Sequence, residues 1–154
     1  MRVAIASEGS GFGLKEKVKQ WLCRNGHEVL DVGRLCEDDE SISYVDAGRN
    51  AAQIVASGQA ERAIVICGTG AGVSLAANKV KGVCCVACES IYSAQRAVPV
   101  VNANAMAIGA CIVAEDMACE MVEAFINSNF LDGFDSKEAE GLRKMQESLR
   151  AMDK

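Results

Sequence analysis

Short apolar runs alternate with longer amphipathic stretches along the whole chain, and this alternation restricts the fold more than any other feature. Runs rich in Val, Ile, Ala and Cys predict five strands, at 2–6, 28–32, 62–67, 83–87 and 105–108. Runs that are apolar throughout are typical of strands covered on both faces. The strands therefore favour a parallel sheet enclosed between two layers of helices.

The stretches between these strands carry apolar residues at helical spacing. Leu14, Val18 and Trp21 recur in this way before Asn25-Gly26, which is a helix stop signal. The same periodicity predicts further helices at 44–57, 72–79, 91–99, 115–127 and 136–152. Because strands and helices alternate, we expect an α/β fold with a parallel sheet of about five strands and helices on both faces.

Length and charge exclude several classes of protein. A chain of 154 residues is expected to form one domain, 1–154, with a sizeable core. A net charge of −5 argues against a broad nucleic-acid or anionic-membrane surface. The first residues run directly into a strand, without a signal peptide or an apolar run that could span a bilayer, so we expect a cytoplasmic protein.

The eight cysteines are expected to be reduced thiols, because most of them lie inside apolar periodic segments. Cys85 and Cys88 form a C-x-x-C pair, but no second pair accompanies it and His27 is the only histidine. Zinc sites need four such ligands, or three and a water. We therefore expect no metal, and no cofactor.

Two predicted strands end in glycine-rich loops. Parallel sheets bind ligands at the carboxyl ends of their strands where the strand order reverses, which in a flavodoxin-like order is between the first and third strands. Ser7 and Glu8 follow the first strand, and Cys67 and Thr69 lie at the end of the third. A thiolate at a helix N-terminus with clustered N–H groups is stabilised, so Cys67 and Glu8 form a candidate acid/base pair beside an anion site.

Neither nucleotide motif is complete. The loop that begins at Gly68 lacks the downstream Gly-Lys-Ser/Thr of a phosphate-binding P-loop. In the first loop, a dinucleotide-binding fingerprint would require a third glycine where Leu14 stands. The glycines of both loops therefore need another explanation.

The segment Ile66-Cys67-Gly68-Thr69-Gly70-Ala71-Gly72-Val73-Ser74 closely resembles the signature of the ribose-5-phosphate isomerase B and galactose-6-phosphate isomerase family. The resemblance extends to Tyr44, to Asp31-Val32-Gly33 and to Tyr92-Ser93-Ala94-Gln95. It implies a Rossmann-like three-layer sandwich, a dimer or larger assembly without a metal, and interconversion of an aldose phosphate and a ketose phosphate through a cis-enediolate.

The resemblance also implies roles for individual residues. Cys67 corresponds to the base that moves the proton between C1 and C2, and Thr69 to a polar partner for the substrate oxygens. The loop residues Gly68, Gly70, Ala71 and Gly72 correspond to an anion hole for the enediolate, where no lysine is required. Tyr44 is a further expected substrate contact.

Several family positions are changed. Glu8-Gly9 stands where ribose-type members carry Asp-His, and Val100-Val101 stands where they carry a ring-opening histidine and an asparagine. None of the family's phosphate-binding arginines is kept, and Cys111 occupies one of their positions. Arg96 is the nearest cationic substitute together with Lys137, and Asn102 is a candidate substrate contact that resembles the galactose-6-phosphate isomerase B subunit.

Three hypotheses follow from these changes. The chain is an aldose-ketose isomerase with an atypical, unphosphorylated or short-chain substrate, one subunit of a hetero-oligomeric sugar-phosphate isomerase, or a sugar-binding protein without turnover. Cys67 and Thr69 favour an enzyme, because a binding protein needs no base. In the last helix, Leu142, Met145, Leu149 and Met152 form an apolar stripe that either faces the core or docks on a second subunit of a homodimer.

Overall fold

A computed structural model describes residues 1–153 of the chain. Five strands alternate with helices: β1 Arg2–Ser7, α1 Phe12–Arg24, β2 Glu28–Asp31, α2 Tyr44–Ala56, β3 Arg62–Cys67, α3 Ala71–Ala77, β4 Cys85–Ala87, α4 Ile91–Val101, β5 Ala105–Gly109, α5 Glu115–Ile126 and α6 Ser136–Arg150. A short 3₁₀ helix, Gly9–Gly11, precedes α1. The bounds differ from the predicted ones by at most two residues. The predicted α/β fold with a parallel sheet is confirmed.

The five strands form one parallel sheet in the order β2-β1-β3-β5-β4. β1 lies beside β3, as the crevice prediction requires. The last two strands differ from the flavodoxin-like order, because β5 lies between β3 and β4. This exchange brings the loop after β5, rather than the loop after β4, next to the end of β3.

Each face of the sheet has its own core. On one face, large side chains of the strands, including Ile5, Ile64 and Ile108, pack against α1, α4 and α5. On the other face the strands present smaller residues, among them Ala6 and Ala107, to α2 and α3. Because side chains alternate along a strand, the two cores arise from alternate positions of the same three strands. The result is a three-layer α/β/α sandwich.

The apolar stripe of α6 is not part of either core. Only Ala139 of this helix is buried, whereas Met145 and Leu149 are 68% and 45% exposed. The structure thus excludes the core-facing alternative for most of the stripe within one protomer. Among residues 1–153, no helix is long and apolar enough to cross a membrane.

Candidate active site

The loops after β1 and β3 lie side by side at the carboxyl edge of the sheet. Ser7 pairs with Ile66 in the register of the two strands, so both loops leave the sheet at the same level. They also touch, since a Cβ atom on Gly11 would lie 2.6 Å from the carbonyl oxygen of Ile66. Cys67 pairs with Gly109 at the end of β5. The ends of three neighbouring strands therefore surround the crevice.

We predict that Gly11→Ala destabilises the protein by about 1 to 3 kcal/mol, because the added methyl group overlaps the backbone of β3 and must push the two loops apart. The matched control is Gly13→Ala in α1, where an added Cβ meets no atom within 4 Å. Alanine is also the better helix former, so this control is expected to stabilise the protein by about 0.5 to 1 kcal/mol. Urea unfolding measures both, and equal effects of the two substitutions would contradict the prediction.

Cys67 is the last residue of β3, and its side chain is only 6% exposed. Its Sγ atom accepts a hydrogen bond from the backbone N–H of Gly70, at 3.2 Å. Gly70 has a φ of 78°, a left-handed conformation that favours glycine and turns its N–H back towards the sulfur. The loop therefore holds the sulfur at the carboxyl edge with a backbone donor directed at it.

The next residues carry the loop into α3. The N–H of Ala71 donates to Thr69 Oγ1 at 3.3 Å, and the first regular helical bond runs from Ser74 N to Gly70 O. The N–H groups of Gly72 and Val73 precede this bond and have no acceptor in the helical ladder. Donors at such a helix start stabilise negative charge on a bound oxygen.

Glu8 is half-buried and turned onto its own loop. Its carboxylate caps the 3₁₀ helix by accepting hydrogen bonds from Ser10 N at 3.0 Å and Gly11 N at 3.2 Å, and a further one from the Ser10 hydroxyl. Ser10 Oγ in turn lies 3.1 Å from the position of a Cβ on Gly68. Glu8 thus holds Ser10, whose hydroxyl packs against the second loop.

Tyr44 borders the same crevice from the helix layer that contains α2 and α3. It is the first residue of α2, which Ser43 and Asp46 cap reciprocally. A Cβ on Gly72 would lie 2.7 Å from Cδ2 of the Tyr44 ring, and the side chain is 50% exposed. The predicted group of Cys67, Thr69, Glu8, Tyr44 and the loop Gly68, Gly70, Ala71, Gly72 therefore meets at one edge.

The family model that describes ribose/galactose isomerases matches residues 3–143. The chain belongs to this isomerase family. The resemblance inferred from the sequence is thus confirmed, and the chain is an isomerase of the sugar-phosphate type.

Individual relatives support the same assignment. The chain is 39% identical over 153 residues to the 4-deoxy-4-sulfo-D-erythrose isomerase of Clostridium sp. (strain MSTE9). The alignment covers 99% of this chain and 96% of the relative. The chain is 36% identical over 132 residues to D-erythrulose-4-phosphate isomerase 2 of Mycolicibacterium smegmatis, covering 84% and 86%. Ribose-5-phosphate isomerase B of Clostridium thermocellum has a similar structure, with a TM-score of 0.85, 34% identity and coverage of 98% and 99%.

Ser7 does not join the thiol in this isomerase. It is fully buried, and it occupies the strand face of Val3 and Ile5, whereas Cys67 belongs to the opposite face. Paired residues on adjacent strands share a face of the sheet, and consecutive residues of one strand point to opposite faces. The sequence-based prediction did not compare the faces of Ser7 and Cys67. Ser7 Oγ is buried without a hydrogen-bond partner among the described residues. The structure does not support a substrate contact of this side chain.

Arg96 and Asn102 also lie outside the crevice of their own protomer. The Arg96 guanidinium stacks over the Phe134 ring, with 4.8 Å between Cζ and the ring centroid. Asn102 caps the C-terminus of α4 just before β5 begins, and therefore lies at the amino edge of the sheet, opposite Cys67. The helix α4 carries the chain from one edge to the other, so residues near its end cannot remain at the first edge.

The structure places three further residues at this edge: Cys111, known from the sequence only as the position of a family arginine, and Ser10 and Arg34, which the sequence analysis missed. Cys111 is exposed, and its Sγ lies 3.7 Å from the position of a Cβ on Gly68, close to Ser10 Oγ. Arg34 follows β2 and lies against Gly9. A signal for Arg34 was available, because β2 is the neighbour of β1 and the residues after it reach the same edge.

Three further cysteines lie in or beside β4. Burial raises the pKa of the Cys84, Cys85 and Cys88 thiols, which favours the neutral form. Within residues 1–153, no group of three or more His, Cys, Asp or Glu side chains could hold a metal ion. The C-x-x-C pair is thus part of the core in the described structure.

Proposed function

We propose that the protein interconverts a four-carbon aldose that carries an anionic group at C4 and the corresponding ketose, with Cys67 as the base and a cis-enediolate as the intermediate. The observation that carries the proposal is the Cys67 sulfur at the end of β3, held by the Gly70 N–H at 3.2 Å beside the start of α3. Sites of this kind combine a base with donors for a developing oxyanion.

The reaction moves one proton within the substrate. The thiolate takes the proton from C2 of the open-chain aldose, and the electron pair of that C–H bond forms the C1–C2 double bond while the C1 oxygen becomes an oxyanion. The N–H groups at the start of α3 stabilise this oxygen, and Thr69 is a polar partner for the neighbouring hydroxyl. The C2 hydroxyl proton passes to the C1 oxygen as the C2 carbonyl forms, and the thiol returns its proton to C1, which gives the ketose and regenerates the thiolate. The oxidation at C2 balances the reduction at C1, so no cofactor is needed.

The position of the only histidine supports a substrate that is already open. His27 lies between α1 and β2, at the amino edge of the sheet and opposite the crevice. A four-carbon sugar with phosphate or sulfonate at C4 has no free C4 hydroxyl, and its C2 and C3 hydroxyls cannot close a five- or six-membered ring. Such a substrate needs no acid to open a ring. The replacement of the family's ring-opening histidine by Val100 therefore does not impair the reaction.

The relatives support the same substrate class. The names of two of the compared proteins specify a sulfonated erythrose and erythrulose 4-phosphate, both with four carbons and an anion at C4. The first of these aligns over 99% of this chain. These names support a chain of four carbons for the short-chain substrate that the sequence predicted.

We further propose that the protein forms a homodimer or a dimer of dimers. The predicted stripe Leu142, Met145, Leu149 and Met152 supports this assembly: its last three residues are exposed, and covering them would remove apolar surface from water. A complex with a different subunit, as in galactose-6-phosphate isomerase, remains the alternative. Sedimentation of the purified chain separates a homodimer from a monomer that lacks its partner.

The function is tested by kinetics on a panel of D-erythrose 4-phosphate, 4-deoxy-4-sulfo-D-erythrose and ribose 5-phosphate. We expect the two tetroses to exceed ribose 5-phosphate in kcat/KM by at least about a hundredfold, because only the small open fraction of the pentose is competent. A preference for ribose 5-phosphate would contradict the proposal. Turnover of none of the three by the purified chain would favour the two-subunit or the binding hypothesis.

A further inference from the structure

We propose that Arg34 binds the terminal anion of the substrate and thereby selects phosphorylated or sulfonated sugars over neutral ones. The inference rests on the proposed function, and it assigns the group that replaces the arginines expected at other positions of the family. Arg34 was not among the predicted site residues, and its position at the crevice comes from the structure.

The backbone fixes Arg34 at the carboxyl edge. Its N–H donates to the carbonyl of Ser7, the last residue of β1, at 2.9 Å. The preceding Gly33 allows this approach, since a Cβ at that position would lie 2.4 Å from Ser7 N. The Asp31 carboxylate holds the same turn by accepting from Gly33 N at 3.3 Å. Arg34 therefore stands on a rigid turn beside the first loop.

The guanidinium lies over the first loop. A Cβ on Gly9 would come within 2.3 Å of Nη1, so only glycine at this position leaves room for the side chain as it is placed. Nε donates to the carbonyl of Cys36 at 2.9 Å, and Cζ lies 6.0 Å from the centroid of the Phe12 ring. These contacts hold the plane of the guanidinium while they use only one of its five donors.

The remaining donors are available to a ligand. Within residues 1–153, no carboxylate lies within 4 Å of Arg34, and neither Nη1 nor Nη2 has a hydrogen-bond partner. The charge of Arg34 acts on one nearby acidic group, Asp39. Hydrogen bonds from Ser41 lower the pKa of Asp39, and the charge of Arg34 adds a weaker effect in the same direction. A guanidinium with two unused terminal nitrogens suits an oxyanion with several oxygens, such as phosphate or sulfonate.

The distance across the sheet suits a short sugar. β2 and β3 flank β1, so the turn after β2 and the end of β3 are separated by two strand spacings, about 10 Å. The guanidinium reaches back over Gly9 in the loop after β1, and β1 is one strand spacing from β3. An open four-carbon chain spans this interval when about 3 Å is allowed for the contact at each end.

The test is Arg34→Gln, compared with wild type on a tetrose 4-phosphate, a 4-sulfotetrose and unsubstituted D-erythrose. We expect KM for both anionic substrates to rise at least about tenfold, with a much smaller change in kcat/KM for erythrose, and Arg34→Lys to recover part of the loss. A loss on the phosphate alone or the sulfonate alone would assign the site to that one anion. The control is Arg24→Gln at the far end of α1, which should change none of these values.

A binding measurement separates failure of this inference from failure of the proposed function. Calorimetry with D-erythronate 4-phosphate, which cannot isomerise, requires no turnover. Wild type should bind it at least about tenfold more tightly than Arg34→Gln. Equal affinities, or equal losses on erythrose and its phosphate, would overturn the role of Arg34 while leaving isomerase activity intact. Absence of turnover with retained, Arg34-dependent binding would instead overturn the reaction and keep the anion site.

Discussion

Replacing Cys67 by alanine is expected to lower kcat for isomerisation by at least about a thousandfold. The reason is that a C–H bond beside a carbonyl loses its proton slowly without a positioned base, and general base catalysis contributes about 10² to 10⁴ in rate. In the structure, Cys67 Sγ is the side-chain group that the Gly70 N–H holds next to the start of α3. Steady-state kinetics on the best substrate of the panel measures the loss.

The matched control is Cys85→Ala. Cys85 is buried to a similar degree as Cys67, at 7% against 6% exposure, but it lies on the edge strand β4, and burial raises its pKa. Both variants lose one buried sulfur, so similar effects on stability are expected and only Cys67→Ala should lose activity. Activity of Cys67→Ala within tenfold of wild type, in a folded protein, would contradict the role of the thiol.

The second large effect is expected for Lys15→Ala, which should lower the free energy of unfolding by about 3 kcal/mol. The Lys15 side chain is fully buried, and its Nζ forms ion pairs with Asp31 and, at 2.7 Å, with Glu16. Lys19 contacts the same two carboxylates at 2.8 and 2.6 Å. Burial acts to raise the pKa of Glu16, but hydrogen bonds and charges of the two lysines outweigh it and lower the pKa.

Removing Lys15 leaves two carboxylates to a single lysine and opens a cavity under the Phe12 ring, which lies 5.2 Å from Nζ. The control is Lys144→Ala, which breaks an exposed pair with Glu140 on α6. Exposed pairs of this spacing contribute about 0.3 to 0.5 kcal/mol, so the control should be nearly neutral. Equal losses in urea unfolding would show that the buried cluster is no more important than a surface pair.

The same cluster connects stability with the site. Asp31 holds the turn that carries Arg34, and Lys15 and Lys19 hold Asp31. The backbone of this turn contacts the end of β1 through Ser7, where the first loop begins. The charges below the crevice therefore fix the position of the residues that border it.

The layers of the fold, and the residues of the crevice that follow β1 and β3, could be predicted from the sequence. Strand and helix periodicities are local, and parallel strands joined by helices place all carboxyl ends on one side. Cys67, Thr69 and the glycines after them could thus be assigned to the crevice with Glu8. Tyr44 came from the family resemblance, and its contact with Gly72 agrees with it.

The remainder depended on long-range geometry that the pattern does not contain. The positions of β4 and β5 are set by packing between distant segments, and their exchange brought Cys111 to the crevice. Ser7 was misplaced because strand parity was not compared between β1 and β3. Asn102 was taken from the resemblance and Arg96 as the nearest cationic substitute, whereas the path of α4 directs both away from Cys67 in the same protomer.

The measurement that most directly tests the central claim is deuterium incorporation during turnover in D₂O, followed by NMR at C1 and C2 of the four-carbon substrate. Wild type should introduce solvent deuterium at the carbon that is protonated, because an enediolate exchanges its proton through the thiol. Cys67→Ala should introduce none on the same timescale. Unchanged incorporation by Cys67→Ala would contradict proton transfer by Cys67, and product formed by wild type without any deuterium after many turnovers would contradict an enediolate that exchanges with solvent.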